Sequence, residues 1–152
     1  INNISQAIIR GVLGTMACWS IFADPLSNYP LSIASIMFCF IIPAQVSKDL
    51  DDVDGDSKFG VRTLPVVYGR EKAVRICNIL IFVPFVLIVA YTFLQILPLK
   101  SLWLLALIPL IAYFGRSLRD TTKLHGFENT RSWMLFYVCM LTFLFGFVLI
   151  LR

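Results

Sequence analysis

This chain has little charge and almost no histidine. Asp, Glu, Lys and Arg make up 14% of its 152 residues, and histidine occurs once. A soluble domain of this size carries about 25% charged residues. The shortage comes with 59% hydrophobic residues and a mean hydropathy of +0.83. Together these exclude an ordinary soluble domain and indicate a polytopic membrane protein. Nucleic-acid signatures are missing too. No RNP-like, zinc-finger or helix-turn-helix pattern accompanies the net charge of +4, which fits basic cytoplasmic loops and not a nucleic-acid partner. There is no Cys-x-x-Cys pair. Cys18, Cys39, Cys77 and Cys139 lie in or beside apolar runs and read as small buried apolar residues, not as a disulfide framework. The opening Ile1-Asn2-Asn3-Ile4 has no basic signal n-region, and the chain reads as the later part of a longer protein.

What is present is a set of five apolar stretches: Ile4 to Phe22, Leu31 to Val46, Ala73 to Leu97, Leu102 to Phe114 and Trp133 to Leu151. A spanning helix needs about 20 residues, so flanking residues must complete the second and fourth. Unbroken apolar runs lack the period-2 alternation of a membrane barrel. The expected fold is therefore all-α: a polytopic transmembrane helical bundle of about five spanning helices. Pro43, Pro84 and Pro109 are each expected to kink a helix. Gly11, Gly14 and Ala17 put small side chains on one face of the first helix, which favours close helix contact. Two loops are basic. One carries Lys48, Lys58, Arg62, Arg70, Lys72 and Arg75, the other Arg116, Arg119, Lys123 and Arg131. The positive-inside rule puts both on the cytoplasmic side, together with the start of the chain.

The segment Lys48-Asp49-Leu50-Asp51-Asp52-Val53-Asp54-Gly55-Asp56 holds five of the nine acidic residues. Carboxylates so dense repel one another and are poorly solvated beside a bilayer. A bound cation relieves both problems. Asp49, Asp52 and Asp56, spaced i, i+3, i+7, would share one face of a continuous helix. Oxygen-only ligands suit a hard cation, Mg²⁺ above all. Mg²⁺ takes one or two carboxylates plus phosphate oxygens, so such a cluster can hold a phosphorylated substrate. A calcium loop is excluded, because Leu50 and Val61 stand where acids are required. Lys58 and Arg62 follow within six residues of Asp56. Acids for a metal beside bases for phosphate make a diphosphate site. The alternative reading is a transporter or cation-binding membrane protein that uses the acids as an ion gate.

The run Lys48-Asp49-x-x-Asp52-x-Asp54-Gly55-Asp56-x-x-x-Gly60-x-Arg62-Thr63-Leu64-Pro65, followed by Tyr68-Gly69, resembles the second aspartate-rich motif of the UbiA-type intramembrane prenyltransferases. The resemblance implies the C-terminal half of a nine-helix bundle around a central cavity. The whole chain, residues 1–152, would be one transmembrane region of a larger prenyltransferase domain. The implied activity is Mg²⁺-dependent transfer of a polyprenyl group from a polyprenyl diphosphate to a lipophilic acceptor. Carried over by position, Asp52 and Asp56 would be the catalytic, metal-binding acids and Asp49 a supporting metal ligand. Lys58, Arg62 and Lys48 would contact the diphosphate. Lys48 stands where many quinone-pathway members carry Tyr, and looks more like the homogentisate or archaeal-lipid branches. Ala44-Gln45 departs from the Arg-Glu of the glyceryl branch. Two acceptor classes therefore stay open: an aromatic quinone precursor such as 4-hydroxybenzoate or homogentisate, and a glycerol-based lipid. The family's first motif, Asn-x-x-x-Asp-x-x-x-Asp, has no counterpart here, which again reads as a fragment.

The remaining polar residues take ordinary roles. His125, Asp120 and Glu128 read as loop residues. Asp24 before Pro25 suits a turn. Trp19, Trp103 and Trp133, toward helix ends, suit membrane-interface anchors.

Overall fold

The computed structural model describes residues 2–121 and 130–151. Among them every regular element is helical, and no strand occurs. The chain opens with α1 (Asn2–Ala7), a π-helical turn (Ile8–Leu13) and α2 (Gly14–Trp19). A short turn leads to the long α3 (Asn28–Asp49). Two short helices follow, α4 (Val53–Lys58) and α5 (Leu64–Tyr68). Next come α6 (Arg70–Leu80), α7 (Val83–Phe93), a 3₁₀ segment (Leu99–Leu107), α8 (Ile108–Thr121) and α9 (Thr130–Leu151).

Three segments are long and apolar enough to cross a membrane: Asn28–Asp49, Arg70–Phe93 and Leu99–Asp120. The apolar part of α9, Met134–Ile150, is a shorter fourth. The first apolar run does form a helix, but it is not in this set. Asn2, Asn3, Gln6 and Arg10 dilute its hydropathy. The two runs that were short in sequence are completed by their flanks. The helix of the second begins at Asn28 and ends at Asp49. The 3₁₀ segment extends the fourth backward to Leu99.

The prolines act differently from one another. Pro43 lies inside α3. Pro84 instead sits in the first turn of α7 and Pro109 in the first turn of α8. There the missing N–H is one that a helix start leaves unpaired anyway. The third apolar run is therefore α6 and α7 joined at 81–82, where the backbone stays right-handed helical, within one span, Arg70–Phe93.

Helix α3 is the hub. Its apolar window is 72% buried, against 39% and 33% for the other two long spans. Phe40 on α3 packs against Phe136 and Phe143 of α9, at ring-centroid distances of 5.4 and 5.3 Å. Phe85 of α7 meets Phe143 edge-on at 6.2 Å, and Phe114 of α8 lies 6.1 Å from Phe136. Offset and edge-on aromatic pairs of this kind add about 0.5–1.5 kcal/mol each beyond their buried area. Two polar bonds fix α3 to its neighbours. Cys77 Sγ of α6 donates to the Pro43 carbonyl at 3.0 Å, and the Ser35 and Tyr91 hydroxyls bond at 2.9 Å.

The first helix runs antiparallel to α3. Its Trp19 stacks on Tyr29, 6.4 Å between centroids, and its Gly11 meets the α3 backbone at Phe38. A Cβ on Gly11 would stand 2.8 Å from Phe38 Cα and N. The other two small residues do not make that contact: Gly14 lines a cavity and Ala17 is exposed. The π-helical turn between them changes the phase of the helix, so three small residues at regular spacing do not share one contact. Cys77 and Cys139 are buried as expected, whereas Cys18 is exposed. Asp24 forms the expected turn, its Oδ1 accepting from Leu26 N at 2.9 Å. Trp103 is 79% exposed on the outer surface. His125 and Glu128 lie outside the described residues, as does the side chain of Trp133.

Replacing Gly11 with Val presses a side chain into backbone that has no room to move. We expect a loss of about 1–3 kcal/mol, typical of overpacking, read as a lowered Tm of the detergent-solubilised protein. An unchanged Tm would show that α1 and α3 do not pack this closely.

Candidate functional site

The acid cluster forms where α3 ends. Leu50 N still bonds Val46 O at 3.2 Å, but Asp51 N bonds Lys48 O, so the helix tightens and stops. Asp52 then leaves helical geometry (φ −108°, ψ 21°) and caps α4. Asp49, Asp52 and Asp56 therefore do not share one helix face, as their spacing had implied. Asp49 belongs to the last turn of α3, while Asp52 and Asp56 lie one turn apart across the start of α4. The Asp56 N–H donates to the Asp52 carbonyl at 2.8 Å. Asp52 and Asp56 both lie close enough to Asp49 for their charges to act on it.

Three features suit this turn to a cation. The Asn3 side chain lies near enough to the Asp49 carboxyl to favour its charged form, yet Asp49 Oδ2 is buried with no partner. A buried unpaired carboxylate oxygen is costly unless something else engages it. The Asp52 carboxylate folds over Gly55, so that a Cβ there would collide with Asp52 Oδ1. The donor set is entirely oxygen. Among the described residues no group of three acids, histidines or cysteines converges as a metal site. Mg²⁺ does not require one, because it commonly takes one or two carboxylates and completes its shell with water and phosphate oxygens. The residues present fit that ion.

The cations flank the acids along the chain. Lys48 is exposed in the last turn of α3, Lys58 is exposed at the end of α4, and Arg62 is exposed in the following loop. Two glycines shape this loop. Gly60 has φ +68° and ends α4. Val61 N reaches back to Asp56 O at 2.8 Å, and Gly60 N to Ser57 O at 3.2 Å. This pair of bonds is a Schellman cap, which needs a left-handed residue. Gly69, at φ 81° and ψ 156°, occupies a region essentially reserved for glycine, and it turns the chain from α5 into α6. The glycines of the motif are thus conformational. Thr63, the residue before α5, is 3% exposed, and its Oγ1 has no partner.

A cavity of about 530 Å³ opens below the cluster, between the first helix, α3 and α9. On α3 it is lined by Ile33, Met37, Ile41, Ala44 and Gln45. Lys48 lies three and four residues beyond Gln45 and Ala44, and Asp49 lies four beyond Gln45. Residues at those spacings are neighbours on a helix surface, so the cavity wall continues upward into the charged cluster. Phe136, Tyr137, Met140 and Leu144 of α9 form another wall. Trp19, expected as an interface anchor, lines this cavity, as do Cys18 and Arg10. The roles of Arg10, Gln45 and Asn3 were not anticipated from sequence. A signal for Arg10 was present, since an ionisable residue inside an apolar run is rare. Asn3 left none, because its link to Asp49 exists only through the antiparallel packing of two helices.

Comparison with known proteins bears on this geometry. The chain matches the profile of the UbiA prenyltransferase family over residues 1–138. The digeranylgeranylglyceryl phosphate synthase of Pyrococcus abyssi is 27% identical over 79 residues, 52% of this chain and 27% of the relative. That of Thermococcus gammatolerans is 33% identical over 73 residues, 48% of this chain and 25% of the relative. That of Methanoculleus marisnigri is 48% identical over 42 residues, 28% of this chain and 15% of the relative. The matched segments thus span about a quarter or less of those relatives' length. No solved structure matches the chain. With the family profile running across most of its length, the chain belongs to the UbiA prenyltransferase family.

Proposed function

We propose that this chain forms part of an intramembrane prenyltransferase that moves a polyprenyl group from its diphosphate to the hydroxyl of a glycerol-based lipid. One observation carries the reading. The same helix, α3, lines an apolar cavity and ends in Lys48 and Asp49, so a chain-shaped apolar space runs into a charged head site. A polyprenyl diphosphate has that form. The glycerol-based acceptor is favoured over an aromatic quinone precursor because the similar proteins are named digeranylgeranylglyceryl phosphate synthases. Family membership supports the enzyme over an ion gate.

In this mechanism Asp52 and Asp56 are the principal acids, Asp49 supports them, and together they would hold Mg²⁺. The ion supplies positive charge that stabilises the departing diphosphate. Lys48, Lys58 and Arg62 contact diphosphate oxygens, with the arginine fork suited to a bidentate grip. Such contacts act where negative charge develops as the allylic C–O bond breaks and its electron pair leaves with the diphosphate. The cavity walls at Phe136 and Tyr137 keep water from the electron-poor prenyl carbon, and the π-face of each ring favours positive charge. The acceptor hydroxyl oxygen then forms the new C–O bond, and its proton passes to the released diphosphate. By charge, the acid cluster, the start of α6 and the end of α8 lie on the cytoplasmic side.

In the intact protein, Asp52→Ala or Asp56→Ala should lower prenyl transfer by about 100-fold or more, with membrane insertion unchanged. Full activity in both variants would remove the metal assignment. Arg62→Ala should raise the donor KM by about 10- to 100-fold, the scale of one lost charge-assisted bond. A donor KM equal to that of the wild type would take Arg62 out of the diphosphate site. Stripping divalent ions from the purified intact enzyme should abolish turnover, and added Mg²⁺ should restore it. Turnover that survives chelation would overturn the metal-dependent reading.

A further inference from the structure

Of the residues that α3 contributes to the cavity, only Gln45 is polar. It is 6% exposed, and its amide makes no hydrogen bond among the described residues. Yet neither amide atom is among the buried unpartnered ones, which are Asp49 Oδ2, Thr63 Oγ1 and Ser101 Oγ. The small exposed part of Gln45 therefore includes its amide, and it opens into the cavity that the residue lines. Other buried polar side chains of α3 are satisfied within the helix. The Ser32 hydroxyl donates to Tyr29 O at 2.7 Å, and the Ser47 hydroxyl donates to Ala44 O at 2.9 Å. A polar group left unpaired in an apolar wall is costly unless a ligand engages it.

Gln45 stands at the join between the charged head of the site and its apolar body. Asp49 lies one turn further along α3, about 6 Å along the axis at 1.5 Å per residue. In the other direction Ile41 and Met37 continue the apolar wall. A diphosphate held at the acids, with its chain in the cavity, has its ester oxygen and the allylic carbon bonded to it at that join. Charge separates there as the bond breaks: the oxygen turns negative and the carbon positive. A lysine or arginine at this level would repel the carbon. A carboxylate would repel the diphosphate and capture the carbon as an ester. A neutral amide has neither fault, and it brings two N–H donors.

We propose that Gln45 is a catalytic residue of the donor site: its side-chain N–H donates to the ester oxygen of the polyprenyl diphosphate as that oxygen departs. This role rests on the prenyltransferase reading. The C–O bond breaks with its electron pair passing to the ester oxygen. The acceptor oxygen forms the new bond to carbon, and its proton passes to the released diphosphate. Gln45 gives up no proton and forms no covalent bond. Its hydrogen bond strengthens as the oxygen gains charge, so it favours the transition state over the bound donor.

In the intact protein, Gln45→Met keeps the length of the side chain and removes its amide. Two quantities are measured. One is the Kd of a polyprenyl S-thiolodiphosphate, an unreactive donor in which sulfur replaces the ester oxygen. The other is the single-turnover rate of prenyl transfer from the true diphosphate. Sulfur is a weak acceptor, so the Kd of this analogue should stay within about 3-fold of the wild type. The transfer rate should fall by about 100-fold, the scale of one donor lost from a developing oxyanion. A rate unchanged by Gln45→Met overturns the proposal. So does a Kd that worsens as much as the rate, because Gln45 then only lines the site. If Gln45→Met does not fold, Gln45→Leu carries the same two measurements, decided by the same outcomes. A wild type that binds the analogue but transfers no prenyl group sinks the enzymatic reading itself, whereas a wild type no faster than Gln45→Met sinks only the role of Gln45.

Discussion

Carboxylates at the end of a buried apolar helix have to be hydrated, paired or neutralised. The architecture turns on where that demand falls. Helix α3 is the most buried span, enclosed by the first helix, α6, α7 and α9. Its core end is fixed by stacked phenylalanines, so its last turn has little freedom. Asp49 is therefore presented at a set position, with one carboxylate oxygen hidden and unpaired. Asp52 and Asp56 follow it, near enough for their charges to act on it. Stability and function meet in one helix: the packing that makes α3 rigid also aims the charged cluster.

The segment after the acids is organised by backbone chemistry. Gly60 and Gly69 supply the two positive-φ positions among the described glycines. They let the chain pass from a short acidic helix through an exposed basic loop and back into the bundle within a few residues. Lys58 and Arg62 are exposed there, which leaves them accessible to an anion. Below, the cavity has the opposite character, apolar on nearly every wall. A site with charge at its head and hydrocarbon in its body has the form that an amphiphile fills.

The all-helical class, the membrane setting and the acid cluster were legible in the sequence, because apolar run length and charge clustering are local properties. The Asp52–Asp56 relation was legible too, since it spans one helical turn. The shared face of Asp49 with these two was not. Nothing in the spacing shows that the chain leaves helical geometry at Asp52. Pro84 and Pro109 were visible as interruptions, but whether a proline bends a helix or begins a new one depends on where the hydrogen-bond ladder starts. The small-residue face failed for a related reason: one π-helical turn alters the phase that the pattern assumed.

Composition and residue order by themselves determined that this chain seeks a bilayer, builds helices and concentrates negative charge after its second apolar run. Those outcomes follow from solvation and from hydrogen bonds between near neighbours. Only the tertiary structure decided that Asn3 lies near Asp49, that Trp19 and Arg10 line a common cavity, and that this cavity reaches Gln45, one turn before Asp49. Each of these joins residues far apart in the chain. Such contacts depend on how rigid helices pack side by side, and that is set by shape complementarity across the whole bundle, which no local pattern encodes.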